Sequence, residues 1–279
     1  MQLEEIIRRS LAEDIAEGDH STMATVPPEC RGKMQLLVKQ PGIISGIEVA
    51  KSILHIHDPG ISIRIIKQDG DRVDSGDIAF YLEGKVWSLL SVERVMLNFM
   101  QRMSGIATYT RSLVDMISDL PVKLLDTRKT TPQFRLLEKT AVRHGGGHNH
   151  RFGLYDMIMI KDNHVDFAGG ITPALINVYD YLNEKNLNLK VEIEVRNLDE
   201  LKQVLDFGRV DRVMFDNFTP ELMKEAVSLV GKRFETEASG MINESTIRSY
   251  AETGVDFISM GALTHQVRSL DLSLKAINP

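Results

Sequence analysis

The 279-residue sequence predicts an α/β protein, with a parallel α/β barrel in its C-terminal part and a small α+β unit before it. Three observations carry this reading. After Pro121, six short apolar runs alternate with stretches whose apolar residues recur at helical spacing, the pattern of parallel strands joined by helices. No Gly-x-Gly-x-x-Gly turn follows any run. The Gly145-Gly146-Gly147 stretch lacks the spacing, because His150 stands at the third position, so a barrel is favoured over a dinucleotide-binding sheet. Before Trp87 the pattern is different: short strand-like runs are separated by turn residues.

Taken in order, Leu3, Ile6, Ile7, Leu11 and Ile15 fall at helical spacing and predict an amphipathic helix over 3–16. Gly18 to Thr22 reads as a polar loop. Lys33–Lys39 and Ile61–Lys67 read as strands, with a helix at Ile47–His57 and turns at Gln68–Asp71 and Asp74–Asp77. Trp87 to Ile117 keeps a helical period, and Gly105 is expected to kink or split that helix. Arg94 and Arg102 lie on this apolar element and are expected to reach solvent. Met96, Met100 and Met103 are core filler. The later strands are expected at Val122–Leu125, Met157–Ile160, Val191–Val195, Arg212–Phe215, Phe234–Thr236 and Asp256–Met260. Helices are expected near Thr172–Leu182, Leu198–Phe207, Pro220–Val230 and Ser245–Thr253. Residues 1–117 thus hold an N-terminal helix, an α+β sandwich and a linking helix. Residues 118–279 hold the barrel, with a C-terminal helix expected to pack back on the first domain.

Bulk composition narrows the function classes. An apolar fraction of 43% with 26% charged residues is that of an ordinary soluble protein. A net charge of -6 argues against nucleic acid as a partner. The single cysteine, Cys30, excludes an internal disulfide and a multi-cysteine metal site, and it fits a reducing cytosol. The N-terminus has no apolar signal core and no run approaches a membrane span, so the expectation is a cytoplasmic protein without a membrane partner.

Against that acidic background, residues 121–165 hold eight Lys or Arg, four His and only four Asp or Glu. A local cationic cluster in an acidic chain points to a multiply charged anion. The six strands end in polar or small residues: Asp126, Thr127, Arg128 and Lys129; Lys161, Asp162, Asn163 and His164; Glu194 and Arg196; Asp216 and Asn217; Ser239 and Gly240; Gly261. In a parallel barrel these ends meet on one face. Taken singly, each residue has a plain structural use. Asp162 can cap a helix, and Glu192 and Glu194 can face solvent on an ordinary strand. The convergence of all six ends is the argument for function. Arg and Lys suit carboxylates and phosphates, carboxylates suit magnesium or ribose hydroxyls, and Ser-Gly turns offer backbone N–H groups to phosphate. His144, His148 and His150 read as an anion-binding loop rather than a zinc site. Two other classes remain open on these residues: a Schiff-base aldolase using Lys129 or Lys161, and a non-catalytic phosphosugar-binding protein.

The same residues carry a resemblance. Glu93-Arg94 with Asn98 and Ser104-Gly105-Ile106-Ala107, Asp126-Thr127-Arg128-Lys129-Thr130, and Gly145-Gly146-Gly147 with Asn149-His150-Arg151 lead the set. Ile160–His164, Glu192-Ile193-Glu194, Asp216-Asn217, Glu237–Gly240, Ser259–His265 and Leu270–Lys275 complete it. The sequence resembles the quinolinate phosphoribosyltransferases of de novo NAD biosynthesis over nearly its whole length; Met241, where glycine or asparagine is frequent, is a departure. The resemblance implies an incomplete parallel α/β barrel with a small N-terminal α+β sandwich domain, assembled as a homodimer or a higher assembly of dimers. It implies transfer of phosphoribosyl from phosphoribosyl pyrophosphate to quinolinate with decarboxylation; a related carboxylated ring is the nearest alternative. It implies Mg2+ held by Glu194 and Asp216, with Arg94 reaching into the partner subunit's site. Thr127, Arg128, Lys129, His150, Arg151 and Lys161 are implied to bind ring carboxylates and pyrophosphate. Ser239, Gly240, Met241, Gly261 and His265 are implied around the 5'-phosphate or pyrophosphate. Lys129, Lys161, Glu194 and Asp216 are the implied catalytic groups, with Lys129, Lys161 or water protonating C2 of the ring.

Overall fold

The computed structural model describes residues 3–277. In chain order the elements begin with α1 (Leu3–Ile15), α2 (His20–Thr25), β1 (Arg31–Val38), β2 (Gly42–Ile43), α3 (Ile47–His57), β3 (Ser62–Ile65), β4 (Arg72–Val73), β5 (Ile78–Lys85) and α4 (Val86–Met116). They continue with β6 (Lys123–Leu125), α5 (Arg135–His144), β7 (Ile158–Ile160), α6 (Asp162–Ala168), α7 (Ile171–Lys185), β8 (Val191–Val195), α8 (Leu198–Phe207) and β9 (Arg212–Asp216). The last are α9 (Pro220–Val230), β10 (Glu235–Ser239), α10 (Ile247–Ala251), β11 (Phe257–Ser259), α11 (Ala262–His265) and β12 (Leu272–Ile277).

The chain forms two compact units, and it passes between them more than once. The first comprises the chain through Ser112, residues 130–146 and the chain from Leu263 onward; the second comprises Leu113–Lys129 and Gly147–Ala262. The division therefore differs from a single boundary near residue 117. In the first unit, β12, β1, β5 and β3 form a four-stranded sheet in that order, and every described pairing is antiparallel. A two-stranded ribbon, β2 with β4, accompanies it. The C-terminal segment is a strand, not the expected helix. Leu270, Leu272 and Leu274 are buried at every second position, a strand period, and β12 pairs along β1 from Lys33–Ile277 to Val38–Leu272. The expected loop at Gly18–Thr22 instead starts α2, because the Asp19 carboxylate accepts the Thr22 N–H at 3.1 Å and caps the helix.

Helix α4 runs 31 residues without interruption, so Gly105 does not split it. A helical glycine costs about 1 kcal/mol against alanine. Gly105 is retained for space: a Cβ there would lie 2.2 Å from the Arg268 carbonyl oxygen. Arg102, one turn earlier on the same face, does not reach for solvent either. Its guanidinium bonds to Glu138 and to the carbonyls of Thr264 and Val267.

In the second unit, six strands pair in parallel in the order β6-β11-β10-β9-β8-β7. No pairing of β6 with β7 is found among the described residues, so the barrel is incomplete, as the resemblance implied. The segment after Gly147 runs along the open edge of β6 instead. Leu125 bridges His148 in parallel, and the buried Asp126 carboxylate accepts the His150 N–H at 2.9 Å. Helices α5 and α6 were not expected from the sequence. Helix α6 begins at Asp162 because the His164 ring accepts the Lys161 N–H at 2.9 Å, closing the first turn.

Strand alternation sorts the second unit's polar residues. Glu192 and Glu194 on β8 share a face, as do Arg212, Met214 and Asp216 on β9 and Glu235, Glu237 and Ser239 on β10. That face is the interior, and neither Glu192 nor Glu237 has any exposed surface. Arg212 donates to Glu237 at 2.7 Å and to Glu235 at 3.1 Å, while its guanidinium lies over the Phe257 ring. His150 Nε2 lies 3.0 Å from Glu192 and 3.5 Å from Glu237. Burial is the main reason the Glu237 carboxyl is pushed up to about 7; the neighbouring Glu192 adds to it, and His150 and Arg212 oppose it.

Two predictions follow from this packing. Gly105→Ala, favourable by helix propensity alone, is expected to destabilise the first unit by about 1–3 kcal/mol in chemical denaturation, because the Arg268 backbone must move; a stabilised variant would refute the steric account. The second concerns pH. A carboxyl whose native value exceeds its unfolded value stabilises the fold below the unfolded value, and that contribution is lost as pH rises to the native one. For Glu237 the window is about pH 4.5 to 7. The melting temperature of the wild type, measured against Glu237→Gln, should fall across that window; a constant difference would contradict it.

Candidate active site

The C-terminal ends of the six parallel strands surround a cavity of about 650 Å³ in the second unit. Each strand supplies lining. The end of β6 gives Thr127, Arg128 and Lys129; β7 gives Met159, Lys161 and Asp162; β8 gives Glu194. Strand β9 gives Met214, Asp216 and Asn217; β10 gives Ser239, Gly240 and Met241; β11 gives Ser259 and Gly261. His150 and Arg151 enter from the segment beside β6. Twelve of the residues expected around the substrates therefore line one cavity: Thr127, Arg128, Lys129, His150, Arg151, Lys161, Glu194, Asp216, Ser239, Gly240, Met241 and Gly261. Arg94 and His265 do not. Both are exposed residues of the first unit.

Four cationic side chains and three carboxylates line this space. The nearly buried Glu194 carboxylate holds Lys161 Nζ at 2.9 Å. Asp216, half-buried at the end of β9, accepts from Asn217 Nδ2 at 2.8 Å. Arg151 donates to the Met157 carbonyl at 3.2 Å. Burial, with Arg128 as a like charge beside it, presses the Arg151 guanidinium below its ordinary value, and Glu192 and Asp156 offset only part of this. Cations crowded in this way favour a bound anion. The His150 ring is turned into the protein: Nδ1 accepts the Arg151 N–H at 2.7 Å, and Nε2 lies 3.0 Å from the Glu192 carboxylate. The donor atoms of His150, Glu192 and Glu237 lie within 4.8 Å of one another, a spacing that can hold a metal ion. Arg212 already brings positive charge to Glu237 there.

At the rim, Gly240 has φ +123°, and a Cβ on it would lie 2.5 Å from Asn217 Oδ1. Only glycine lets the backbone turn there so close to the end of β9. The next residue, Met241, is 89% exposed at the mouth. Several expected participants are used structurally. Arg196 points away and pairs with Asp166 and Glu200, and His144 sits on α5 in the first unit, 2.8 Å from the Ser45 hydroxyl. Met159 and Met214 line the cavity although the sequence marked them only as strand interior. Each stands two residues before a polar strand end, Lys161 and Asp216, and that spacing was the available signal. A second cavity, about 360 Å³, lies in the first unit beside Asn98, Phe99, Arg102 and Thr131 and includes none of the strand-end residues.

Comparison with known proteins establishes the family and the fold. The family description "Quinolinate phosphoribosyl transferase, N-terminal domain" fits residues 19–104, and its C-terminal counterpart fits residues 106–275. The chain is 44% identical to the chloroplastic nicotinate-nucleotide pyrophosphorylase [carboxylating] of Arabidopsis thaliana, covering 98% of this chain and 82% of that one. It is 40% identical to the probable nicotinate-nucleotide pyrophosphorylase [carboxylating] of Bacillus subtilis, covering 98% and 93%. Among solved structures, NadC from Streptococcus pyogenes superposes with a TM-score of 0.94 at 38% identity, covering 99% of this chain and 98% of that one. The Francisella tularensis nicotinate-nucleotide pyrophosphorylase gives 0.93 at 41% identity, covering 99% and 96%. With both family domains matched in order along one chain, the protein belongs to the quinolinate phosphoribosyltransferase family.

Proposed function

We propose that the chain transfers phosphoribosyl from phosphoribosyl pyrophosphate to quinolinate with loss of carbon dioxide, forming nicotinate mononucleotide and pyrophosphate in de novo NAD biosynthesis. One observation supports this most directly: a single cavity mouth combines cations from β6 and β7 with carboxylates from β8 and β9 and a Ser-Gly turn from β10. That is the complement of a dicarboxylate next to a phosphosugar.

The pyridine nitrogen is the nucleophile, so no activated Ser or Cys is required. It bonds to C1 of the ribose as the C1–O bond to pyrophosphate breaks. Arg128, Lys129 and Lys161 would stabilise the negative charge gathering on the leaving group, and Glu194 and Asp216 the positive charge on C1. The cavity would chiefly hold the two substrates in line, an effect worth roughly 7–11 kcal/mol when geometry is good. Decarboxylation follows. The C2–carboxylate bond breaks, its electron pair stays on C2 beside the quaternised nitrogen, and a proton adds there. Lys129 and Lys161 are the ammonium groups of the cavity able to supply it. Glu194 and Asp216 line the cavity and offer the hard oxygen donors that Mg2+ takes. Bound there, the ion would neutralise pyrophosphate charge.

We further propose a homodimer in which Arg94, exposed on α4, serves the partner's cavity. A cytoplasmic location fits the single cysteine, and no described helix is long and apolar enough to cross a membrane.

The deciding assay supplies quinolinate, phosphoribosyl pyrophosphate and Mg2+ and follows nicotinate mononucleotide together with labelled carbon dioxide. Product without carbon dioxide release would point to a different carboxylated ring. Arg128→Ala should lower kcat/KM for quinolinate about 10–100-fold, the loss expected for charge-assisted hydrogen bonds; an unchanged value would remove Arg128 from the site. For Arg94, mixing inactive Arg94→Ala with inactive Lys161→Ala should restore part of the activity in mixed dimers, and a mixture as dead as its components would count against sharing.

A further inference from the structure

Two neighbouring strands, β6 and β11, end in loops that line the cavity. One brings Thr127, Arg128 and Lys129, and the other brings Gly261. Within three residues, both loops end on the same ion pair. Glu138 on α5 is fully buried, and its carboxylate accepts the Thr131 N–H at 3.0 Å and the Thr131 hydroxyl at 2.8 Å. Thr131 is two residues past Lys129. The same carboxylate takes Arg102 Nε at 3.1 Å and Nη2 at 2.8 Å. Arg102 also donates to the carbonyls of Thr264, three residues past Gly261, and of Val267. Two further contacts support the same segments. Arg135 Nε donates to the Thr130 hydroxyl at 3.0 Å, and Gly105 leaves room for the Arg268 carbonyl against α4.

Residue chemistry makes this an unusual use of an ion pair. A buried carboxylate beneath a guanidinium fork forms strong, directional bonds. The fork has donors left for two carbonyls, which an ammonium group could not match in one plane. Buried ion pairs are often neutral for stability against apolar replacements, so stability alone is a weak reason to place one here. What this pair does hold, by direct bonds, is the far end of each loop.

We propose that Arg102 and Glu138 are positioning residues for the phosphoribosyl transfer proposed above: they fix the ends of the two loops that carry Arg128, Lys129 and Gly261, and so set the anion-binding groups without touching substrate. The inference rests on that reading for the reaction, but its core, anion binding, can be tested separately. The probe is inorganic pyrophosphate, titrated calorimetrically into the full-length wild type and into Arg102→Ala, Arg102→Lys and Glu138→Gln, each shown to be folded by circular dichroism. Lys129→Ala serves as the control that pyrophosphate occupies this cavity. Folded Arg102→Ala is expected to bind pyrophosphate about 10–100-fold more weakly, the scale of a small misplacement of binding groups. KM for phosphoribosyl pyrophosphate should rise more than kcat falls. Arg102→Lys should stay impaired, and added guanidinium ion should restore binding to Arg102→Ala but not to Lys129→Ala. If Arg102→Ala does not fold, Arg102→Lys and Glu138→Gln carry the same expectation of weakened binding. Folded variants that bind pyrophosphate within twofold of the wild type would overturn the proposal, as would guanidinium that raises thermal stability without restoring binding. Weakened pyrophosphate binding in an enzyme inactive on quinolinate would sustain the positioning role and discard the substrate assignment.

Discussion

Parallel pairing is the constraint on which the rest of the second unit depends. When six strands run the same way, their C-terminal ends share one edge of the sheet, and residues far apart in sequence become neighbours. Period-two alternation then decides which side chains face inward. Glu194 and Asp216 reach the mouth because they stand at the ends of β8 and β9 on the inner face. Glu192 and Arg212 lie one layer deeper for the same reason, opposite each other in the register. A slip of one residue in either strand would send the whole set to the outer face.

The inner face is polar to an unusual depth, and its charges are arranged in two layers. Below, two buried carboxylates are held by Arg212 and by the His150 ring, and desolvation drives both carboxyls toward their neutral form. Above, Arg128 and Arg151 crowd each other at the cavity wall, and Glu194 holds Lys161. The lower layer limits the field under the cavity, while the upper one leaves cationic groups facing it. Such a surface discriminates between ligands by charge number and by where charge develops, which is what transfer of a phosphorylated sugar to a dicarboxylate requires.

Much of this architecture is written locally. Ile47–His57, Leu198–Phe207 and Pro220–Val230 have the boundaries their periodicity predicts, since each carries an apolar stripe and a clear stop. The six strands lie within three residues of the expected positions at each end for the same reason. Other features depend on contacts that are not local. Helix α5 carries its charge-rich sequence because Glu138 is buried against Arg102, a pairing across 36 positions. Strand β12 is legible locally in the alternation of Leu270, Leu272 and Leu274, which a helix would not give; only its partner, β1, more than two hundred residues away, is a tertiary matter. Gly105 looked like a break in a helix, and its purpose is visible only with the Arg268 carbonyl in place.

The sequence by itself determined the class of fold, the family and the residue types that gather at the strand ends, because periodicity and short motifs are properties of adjacent positions. Only the tertiary structure decided which faces were buried, that Glu192 is an interior group rather than a solvent-facing one, and that Arg102 is tied to Glu138 rather than to water. The reason is physical. Burial and charge pairing depend on which distant segments arrive at the same place, and the energy of an ionised group is set far more by those neighbours than by the residues beside it in the chain.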